Sequence, residues 1–205
     1  MLRLFYAPGT IAVATAITLE EAGVDYRLLK LDFDTGEQTK SDYHVINPKG
    51  RVPALVTDNG VLTETGALLD YIAALAPEAN LIPDEPFLAA KMREVMYYLA
   101  STMHVNHAHK MRGSRWANHE SSFQDMTAKV QETMTASCAY IDASYPVNPF
   151  VLGKEISLAD PYLFIILTWA AGDGVDMEAF PRLSAFLTMM EQRPSVKAIR
   201  GYGVL

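Results

Sequence analysis

Hydrophobic positions form short runs near the start of the chain and have helical spacing later. Apolar runs at residues 2–6 and 26–31 predict two buried strands, and Pro8-Gly9 predicts a turn after the first. Thr10 is a good N-cap for a helix that connects these strands and stops at Gly23. Because a helical connection joins the two strands, we predict a right-handed, parallel βαβ unit.

A hairpin and a further helix complete the pattern of the first part. Residues 32–46 are polar and predict a loop with a short helix. Apolar residues at 54–56 and 61–62 flank Asp58-Asn59-Gly60, and Asn-Gly is a strong signal for an antiparallel hairpin. A helix is predicted over residues 66–76. The order β-α-β-α-β-β-α is that of a thioredoxin-like α/β domain.

Three prolines mark the boundary between two predicted domains. Pro77, Pro83 and Pro86 lie between two helical segments, which is typical of a linker. Beyond them strand signals disappear, and the predicted helices span residues 87–111, 121–144, 158–171 and 183–192. We predict a thioredoxin-like domain at residues 1–79 and an all-α domain at residues 87–205.

Net charge and the lengths of the apolar stretches limit the kinds of partner and the cellular location that we expect. The 205 residues carry a formal net charge of −7, which argues against a broad cationic face for nucleic acid. The longest apolar stretch, residues 162–171, is about half of a membrane span. The apolar residues 11–19 are followed at once by Glu20-Glu21, which is not typical of a signal peptide. We therefore expect a cytoplasmic protein with no membrane or nucleic-acid partner.

The single cysteine, Cys138, limits the sulfur chemistry of the chain. A disulfide scaffold, a cysteine-based zinc finger and an intramolecular redox dithiol each need more than one cysteine. Cys138 lies in a predicted helix beside small and apolar residues, so we expect it to be buried and unreactive.

Two positions in the first domain are candidate binding elements. A helix N-terminus favours an anion, and the Thr10 hydroxyl could donate a hydrogen bond to a thiolate, with a plain helix cap as the alternative. Val52-Pro53 suits a cis peptide bond that leaves the Val52 backbone as a free edge, where an extended peptide can pair. An ordinary edge-strand proline is the alternative there.

Two later motifs combine hydroxyl and carboxylate groups at predicted helix starts. Thr65 and the first amides of its helix could hold a carboxylate and Glu64 an ammonium, so the pair suits a zwitterion. Simple capping is the alternative for either residue. Ser157 and Asp160 have capping-box spacing, in which each side chain caps the other's amide, and we assign them a structural role.

Histidines and basic residues cluster in the first part of the helical domain. His104 and His107 share a helical face, and His109 follows. No carboxylate or cysteine is near them in sequence, so no metal is expected; a polar cleft wall and ordinary exposed histidines are the alternatives. The basic residues that follow, before Trp116, are Lys110, Arg112 and Arg115. This stretch could draw an anionic ligand, with a solvated face as the alternative.

Together these motifs resemble those of bacterial glutathione transferases, with the beta class most similar. The resemblance covers nearly the whole chain. The segments that carry it are residues 5–10 (Phe-Tyr-Ala-Pro-Gly-Thr), 19–23 (Leu-Glu-Glu-Ala-Gly), 47–55 (Asn-Pro-Lys-Gly-Arg-Val-Pro-Ala-Leu), 62–65 (Leu-Thr-Glu-Thr), 153–160 and 168–170 (Thr-Trp-Ala). The resemblance implies a glutathione-binding N-terminal domain and a C-terminal domain that contributes a hydrophobic substrate pocket.

The resemblance also implies roles for individual residues in binding glutathione. Val52 pairs its backbone with the cysteinyl unit beside cis-Pro53, and Arg51 lies near the tripeptide. Glu64 and Thr65 hold the γ-glutamyl end.

For catalysis, the resemblance implies that Thr10 stands where serine-type relatives stabilise the thiolate. Tyr6 is a second candidate, one residue out of register with the tyrosine of other classes, and His104 matches an active-site histidine. Beta-class proteins usually carry a cysteine where this chain has Ile11, so a mixed disulfide with glutathione cannot form at that position. The residues implied to line the hydrophobic substrate pocket are Ile11, His104, His107, Trp116 and Trp169.

The expected reaction is conjugation of glutathione, as co-substrate, to a small hydrophobic electrophile, without a metal and in a homodimer. One alternative is a glutathione-dependent isomerase, dehalogenase or ether-cleaving enzyme with the histidines as acid/base groups. Another is a non-catalytic protein that binds glutathione or another ligand.

Overall fold

The computed structural model describes all 205 residues and divides into two compact units. The first unit contains Met1–Pro83 together with Glu191–Leu205, and the second contains Asp84–Met190. The predicted boundaries place residues 191–205 in the all-α domain, whereas the structure groups this segment with the first unit. The reason is a set of contacts within that unit: the Gly9 amide donates to the Val204 carbonyl, and the Glu21 carboxylate binds Arg193.

The first unit is a four-stranded mixed sheet with helices. Its elements are β1 (Leu2–Tyr6), α1 (Ala12–Ala22), β2 (Tyr26–Lys30), α2 (Ser41–His44), β3 (Ala54–Thr57), β4 (Gly60–Thr63), α3 (Thr65–Leu75) and α9 (Pro194–Gly201). The strand order is β2-β1-β3-β4; β1 and β2 are parallel, and the other neighbours are antiparallel. This confirms the predicted thioredoxin-like fold and its hairpin.

The sheet has a different core on each face. Leu4 and Tyr6 alternate with more exposed positions along β1 and are buried. Phe5 points to the opposite face, where its ring lies 5.5 Å from that of Tyr43. α1 is buried along most of its length and packs against α3 and α9. It ends as predicted at Gly23, whose φ of 64° suits glycine and whose amide donates to Leu19 and Glu20.

The second unit is helical, as predicted. Its helices are α4 (Pro86–Tyr98), α5 (His104–Ala108), α6 (Glu120–Ser144), α7 (Ala159–Ala170) and α8 (Pro181–Gln192), the last of which ends just beyond the unit. A π-helical turn, Leu99–Met103, joins α4 to α5. The helix predicted over residues 87–111 is therefore two α-helices with a wider turn between them. α7 is apolar on all sides and buried, and it packs against α4. No helix is long and apolar enough to cross a membrane.

The capping box before α7 differs in one bond from the predicted one. The Asp160 carboxylate accepts from the Ser157 amide at 2.7 Å, as predicted. The Ser157 hydroxyl, however, donates to the same carboxylate at 2.9 Å instead of capping the Asp160 amide. The second carboxylate oxygen accepts from the Val151 amide at 2.8 Å, so Asp160 fastens the preceding loop to the helix start.

Candidate functional site

Three loops of the first unit come together at one end of the sheet. Phe5 near the end of β1 pairs with Ala54 at the start of β3, and Ala54 pairs with Thr63 at the end of β4. The turn that follows β1, the segment that precedes β3 and the start of α3 therefore share this end. The predicted glutathione-binding positions belong to these three segments.

The first of these segments is the turn that contains Thr10. The Thr10 hydroxyl donates to the Ala7 carbonyl at 2.7 Å, and the Thr10 carbonyl accepts from the Val13 amide. α1 begins at Ala12 with Ile11 as its cap residue, and no side chain caps it. The prediction that Thr10 caps this helix is therefore wrong: the helix begins two residues later, and the Thr10 hydroxyl donates within the preceding turn to Ala7.

Tyr6 and Ile11 flank that turn and are both buried. Tyr6 is 5% exposed and lies on the same face of β1 as Leu4. Ile11 is 7% exposed, so the position that follows Thr10 presents a packed apolar side chain. Of the two hydroxyls proposed for thiolate stabilisation, the half-buried one of Thr10 is the more accessible.

The second segment is held in place by groups that the sequence analysis did not single out. The Val52–Pro53 peptide bond is cis, as predicted, and both residues precede β3. The Arg51 carbonyl accepts from the Tyr43 hydroxyl at 2.6 Å and from the Asn47 side-chain amide at 2.7 Å. Burial raises the pKa of Tyr43, which keeps it a hydroxyl donor.

The side chains around this segment separate its buried part from its exposed part. Val52 packs with Phe5 against the core that contains Tyr43. The Arg51 side chain is exposed. Asn47, which holds the Arg51 carbonyl, is 1% exposed and is the first residue of the Asn-Pro-Lys-Gly run. The sequence motif therefore contained this residue, although its hydrogen bond was not predicted.

The third segment joins β4 to α3 at Glu64. The Glu64 backbone has a φ of 73°, a conformation that side-chain-bearing residues adopt at an energetic cost. Its carboxylate does not cap α3, so the capping alternative fails for Glu64. The Lys49 ammonium lies 2.5 Å from this carboxylate and 2.7 Å from the Thr63 hydroxyl. Thr65 follows as the first, buried residue of α3.

In the second unit, two of the predicted histidines meet the predicted tryptophan. The His107 ring stacks on Trp169 with centroids 4.3 Å apart and planes 21° apart, and His104 lies 5.3 Å from the same ring. Trp116 instead makes an edge contact with His109 at 4.5 Å. The structure thus groups His104, His107 and Trp169, and it places Trp116 beside a different histidine.

A carboxylate distant in sequence completes this group. His107 Nδ1 lies 2.6 Å from Asp173 Oδ2, and Lys110 Nζ lies 3.2 Å from the other carboxylate oxygen. The Asp173 side chain is 1% exposed. The sequence analysis missed Asp173 because it lies 66 residues from His107. No three side chains of His, Cys, Asp or Glu are arranged to hold a metal ion.

Cys138 takes no part in either group. It is fully buried in α6, as predicted. Burial, together with the charges of Asp142 and Asp173, raises the pKa of its thiol to about 12.

Comparison with known proteins matches both parts of the chain to the same family. The family model for the glutathione S-transferase N-terminal domain matches residues 1–74, and that for the C-terminal domain matches residues 88–194. The glutathione S-transferase GstA of Escherichia coli O157:H7 is 30% identical over 199 residues, which are 96% of each chain.

Two solved structures extend this similarity to the fold. A glutathione transferase homologue from Sulfitobacter, solved with bound glutathione, is 57% identical, with a TM-score of 0.98 over 100% of this chain and 99% of that one. A beta-class glutathione S-transferase from Sphingomonas chungbukensis is 31% identical, with a TM-score of 0.85 over 99% and 100% of the two chains. The chain therefore belongs to the glutathione S-transferase family.

Proposed function

We propose that this glutathione S-transferase binds glutathione at the end of the sheet where the Thr10 turn, the Val52–Pro53 segment and the start of α3 meet. The observation that carries the proposal is this convergence of the cis Val52–Pro53 segment, the exposed carboxylate of Glu64 and the start of α3 at one place. Each of these three features can bind a different chemical group of a γ-glutamyl tripeptide. A bound glutathione in the Sulfitobacter relative supports the choice of ligand.

The tripeptide is held by backbone and charge. Val52, just before the cis peptide bond, pairs its main chain with the cysteinyl unit, as in β-augmentation. The exposed Arg51 side chain lies near the tripeptide and supplies positive charge. Glu64 takes the ammonium of the γ-glutamyl group, and the amides at the start of α3, with Thr65, take its carboxylate.

Thr10 stabilises the thiolate of the bound glutathione. A free thiol with a pKa of about 8.5 is only a few per cent ionised at neutral pH. Lowering the pKa by two units requires about 2.7 kcal/mol, and one hydrogen bond to a charged group supplies roughly 1.5–3 kcal/mol. The Thr10 hydroxyl has one proton, which the Ala7 carbonyl now accepts, so it must rotate to donate to sulfur. Tyr6 is the second candidate for this role.

The enzyme is of a beta-class-like type in which Ile11 replaces the usual cysteine. The similarity to the Sphingomonas beta-class structure supports the class. Because Ile11 has no thiol and Cys138 is buried, the reacting sulfur is that of glutathione itself. Conjugation of glutathione needs no protein thiol and is therefore compatible with these two residues.

The second unit supplies the surface for the electrophile. His104, His107 and Trp169 form a half-buried aromatic group, which suits a small hydrophobic or planar substrate. By resemblance to the family, we also assign His104 a catalytic role. By the same resemblance, Ile11 and Trp116 line the pocket for the hydrophobic substrate. No metal takes part in the proposal. A homodimer, a cytoplasmic location and a role in detoxification also follow by resemblance to bacterial relatives.

Two measurements on the purified protein test the proposal. Calorimetry should show saturable binding of glutathione, and Glu64→Gln should weaken it. Conjugation to chlorodinitrobenzene should then show turnover above the uncatalysed rate. Absence of binding would contradict the site, whereas binding without turnover would contradict the assigned chemistry and leave a ligand-binding protein.

A further inference from the structure

A segment beyond α9 is hydrogen-bonded to the turn that contains Thr10. The Gly9 amide, which directly precedes Thr10, donates to the Val204 carbonyl at 2.9 Å. Both partners belong to the first unit, although they are far apart in the sequence. Val204 is fully buried, so its place in this unit is well defined by packing. The proposed binding of glutathione gives this hydrogen bond no role.

The turn itself is of type II. The Thr10 amide donates to the Ala7 carbonyl at 3.3 Å, which places Pro8 and Gly9 at the two central positions. The proline ring fixes the φ of Pro8 near about −65°, whereas Gly9 has a φ of 65°. A negative φ followed by a positive one is the type II pattern. In such a turn the amide of the second central residue has no acceptor within the turn, and here the Val204 carbonyl accepts from it.

This hydrogen bond favours one of two forms that the turn could adopt. A type I turn has the same hydrogen bond at its ends, but its second central residue has a φ of about −90°. Conversion to type I reverses the peptide group between Pro8 and Gly9, so the Gly9 amide would point away from Val204. The Thr10 hydroxyl lies just beyond this peptide group and donates to the Ala7 carbonyl at 2.7 Å. The direction of that hydroxyl therefore depends on the form of the turn.

The Val204 carbonyl is held in place by the end of α9. The Gly203 amide donates to the Arg200 carbonyl and the Val204 amide to the Ile199 carbonyl, each at 3.0 Å. These are the two hydrogen bonds of a Schellman motif, and the φ of 70° at Gly203 suits glycine. Val204 and Ile199 are both fully buried, as the apolar pair of this motif usually is. Since α9 packs against α1, the acceptor is fixed to the helix that follows the turn.

We propose that Val204 is a positioning residue for Thr10, and that its carbonyl holds the turn in the form that presents the Thr10 hydroxyl to the sulfur of glutathione. The inference rests on the proposed function and deepens it. Val204 acts through Gly9 and not on the substrate. Its loss should therefore weaken stabilisation of the thiolate and leave the peptide contacts of Val52 and Glu64 intact.

The test opens the Schellman motif and measures the thiol. Gly203→Val puts a β-branched side chain at a positive φ, which strains the backbone just before Val204. We expect the pKa of the bound glutathione thiol, read as thiolate absorbance against pH, to rise by about half to one unit. Conjugation of chlorodinitrobenzene should then fall about three- to tenfold below the midpoint and recover at higher pH. The Kd of S-methylglutathione, which has no thiol to ionise, should change less than about twofold.

Gly23→Val is the matched control for the strain. Gly23 ends α1 with the same motif: its amide and that of the next residue donate to the Glu20 and Leu19 carbonyls. Its φ of 64° is close to that of Gly203, and a Cβ at either glycine would meet no atom within 4 Å. Gly23 lies at the end of α1 opposite to Thr10. Gly23→Val should lower the free energy of unfolding about as much as Gly203→Val and leave the pKa of the bound thiol unchanged.

Hydrogen exchange of the Gly9 amide reports on the proposed contact directly. In Gly203→Val, and in Val204→Gly as a second variant, this amide should exchange about tenfold faster than in the unaltered protein. Exchange at the unaltered rate in both variants would overturn the inference. Faster exchange with an unchanged pKa of the bound thiol would also overturn it.

A double variant separates this inference from the proposed function. In a Thr10→Val background, Gly203→Val should cause no further rise of the thiol pKa, because the group that it positions is gone. A further rise would overturn the inference, while the role of Thr10 would stand on the single variant. If the unaltered protein does not bind glutathione or does not lower the pKa of its thiol, it is the proposed function that fails.

Discussion

The Lys49 ammonium lies 2.5 Å from the Glu64 carboxylate, at the position that the proposed site reserves for the ammonium of glutathione. Both side chains are well exposed, at 41% and 74%. Lys49 also donates to the Thr63 hydroxyl at 2.7 Å. A cation of the chain itself thus lies where the proposal puts the cation of glutathione.

Removal of this internal competitor should tighten binding of glutathione. An exposed ion pair contributes about 0–1 kcal/mol, so we expect Lys49→Met to lower the Kd of glutathione by about two- to fivefold. Calorimetry with glutaryl-cysteinyl-glycine, which lacks the amino group, is the control and should show no change. Weaker binding of both peptides would mean that Lys49 contacts the ligand directly.

Thr10 should control the pKa of the bound thiol. We expect Thr10→Val to raise that pKa by about one to two units, because a hydrogen bond to the thiolate is lost. Thr10→Ser should retain the lowered value. The matched control is Thr15→Val in α1, since the Thr15 hydroxyl is buried and has no hydrogen-bond partner. Thiolate absorbance against pH gives the measurement, and an unchanged midpoint in Thr10→Val would assign the role elsewhere.

Elements that depend on local sequence were predictable. The hairpin around Asn59-Gly60, the stop of α1 at Gly23 and the alternation along β1 each depend on neighbouring residues. α9 was missed because it has only eight residues, and its partners lie at the other end of the chain. The Glu21 contact to Arg193, for example, joins residues 172 positions apart.

The parts of the candidate site that belong to a local sequence motif could be predicted. The hydrogen-bond partners of individual side chains could not. The Asn47 to Leu55 run gave the cis Pro53 and its surroundings. The motif at Thr10 predicted the turn but not the hydrogen bond within it, because the hydroxyl can donate to a carbonyl or accept from a helix amide and the motif does not distinguish the two. Asp173 could not be found at all, since spacing along α5 shows nothing of a residue beyond α7.

Cys138 should be unreactive in the folded protein. Burial raises the pKa of its thiol to about 12, so only about one molecule in 10⁴ carries a thiolate there at pH 8. We expect no reaction with dithiobis-nitrobenzoate under native conditions and one thiol released per chain in denaturant. Cys138→Ala gives the blank. Fast labelling of the native protein would show that α6 opens readily.

The C-terminal segment should owe much of its attachment to Glu21. The Glu21 carboxylate accepts from Arg193 Nε at 2.6 Å, from Arg193 Nη2 at 2.7 Å and from the Ser195 hydroxyl at 2.5 Å. The Glu21 and Arg193 side chains are only 11% and 25% exposed. Arg193→Met leaves this carboxylate without its cation, which we expect to lower the free energy of unfolding by about 2–4 kcal/mol.

A surface ion pair with a similar nitrogen–oxygen distance provides the control for that loss. Lys129 lies 2.6 Å from Glu132, but the two side chains are 61% and 70% exposed. Lys129→Met should therefore change the free energy of unfolding in urea by less than about 0.5 kcal/mol. In Glu21→Gln, further replacement of Arg193 should cost far less than it does alone, because the buried charge is already gone. Equal effects of Arg193→Met and Lys129→Met would show that α9 is held by its apolar contacts with α1 and not by this charge pair.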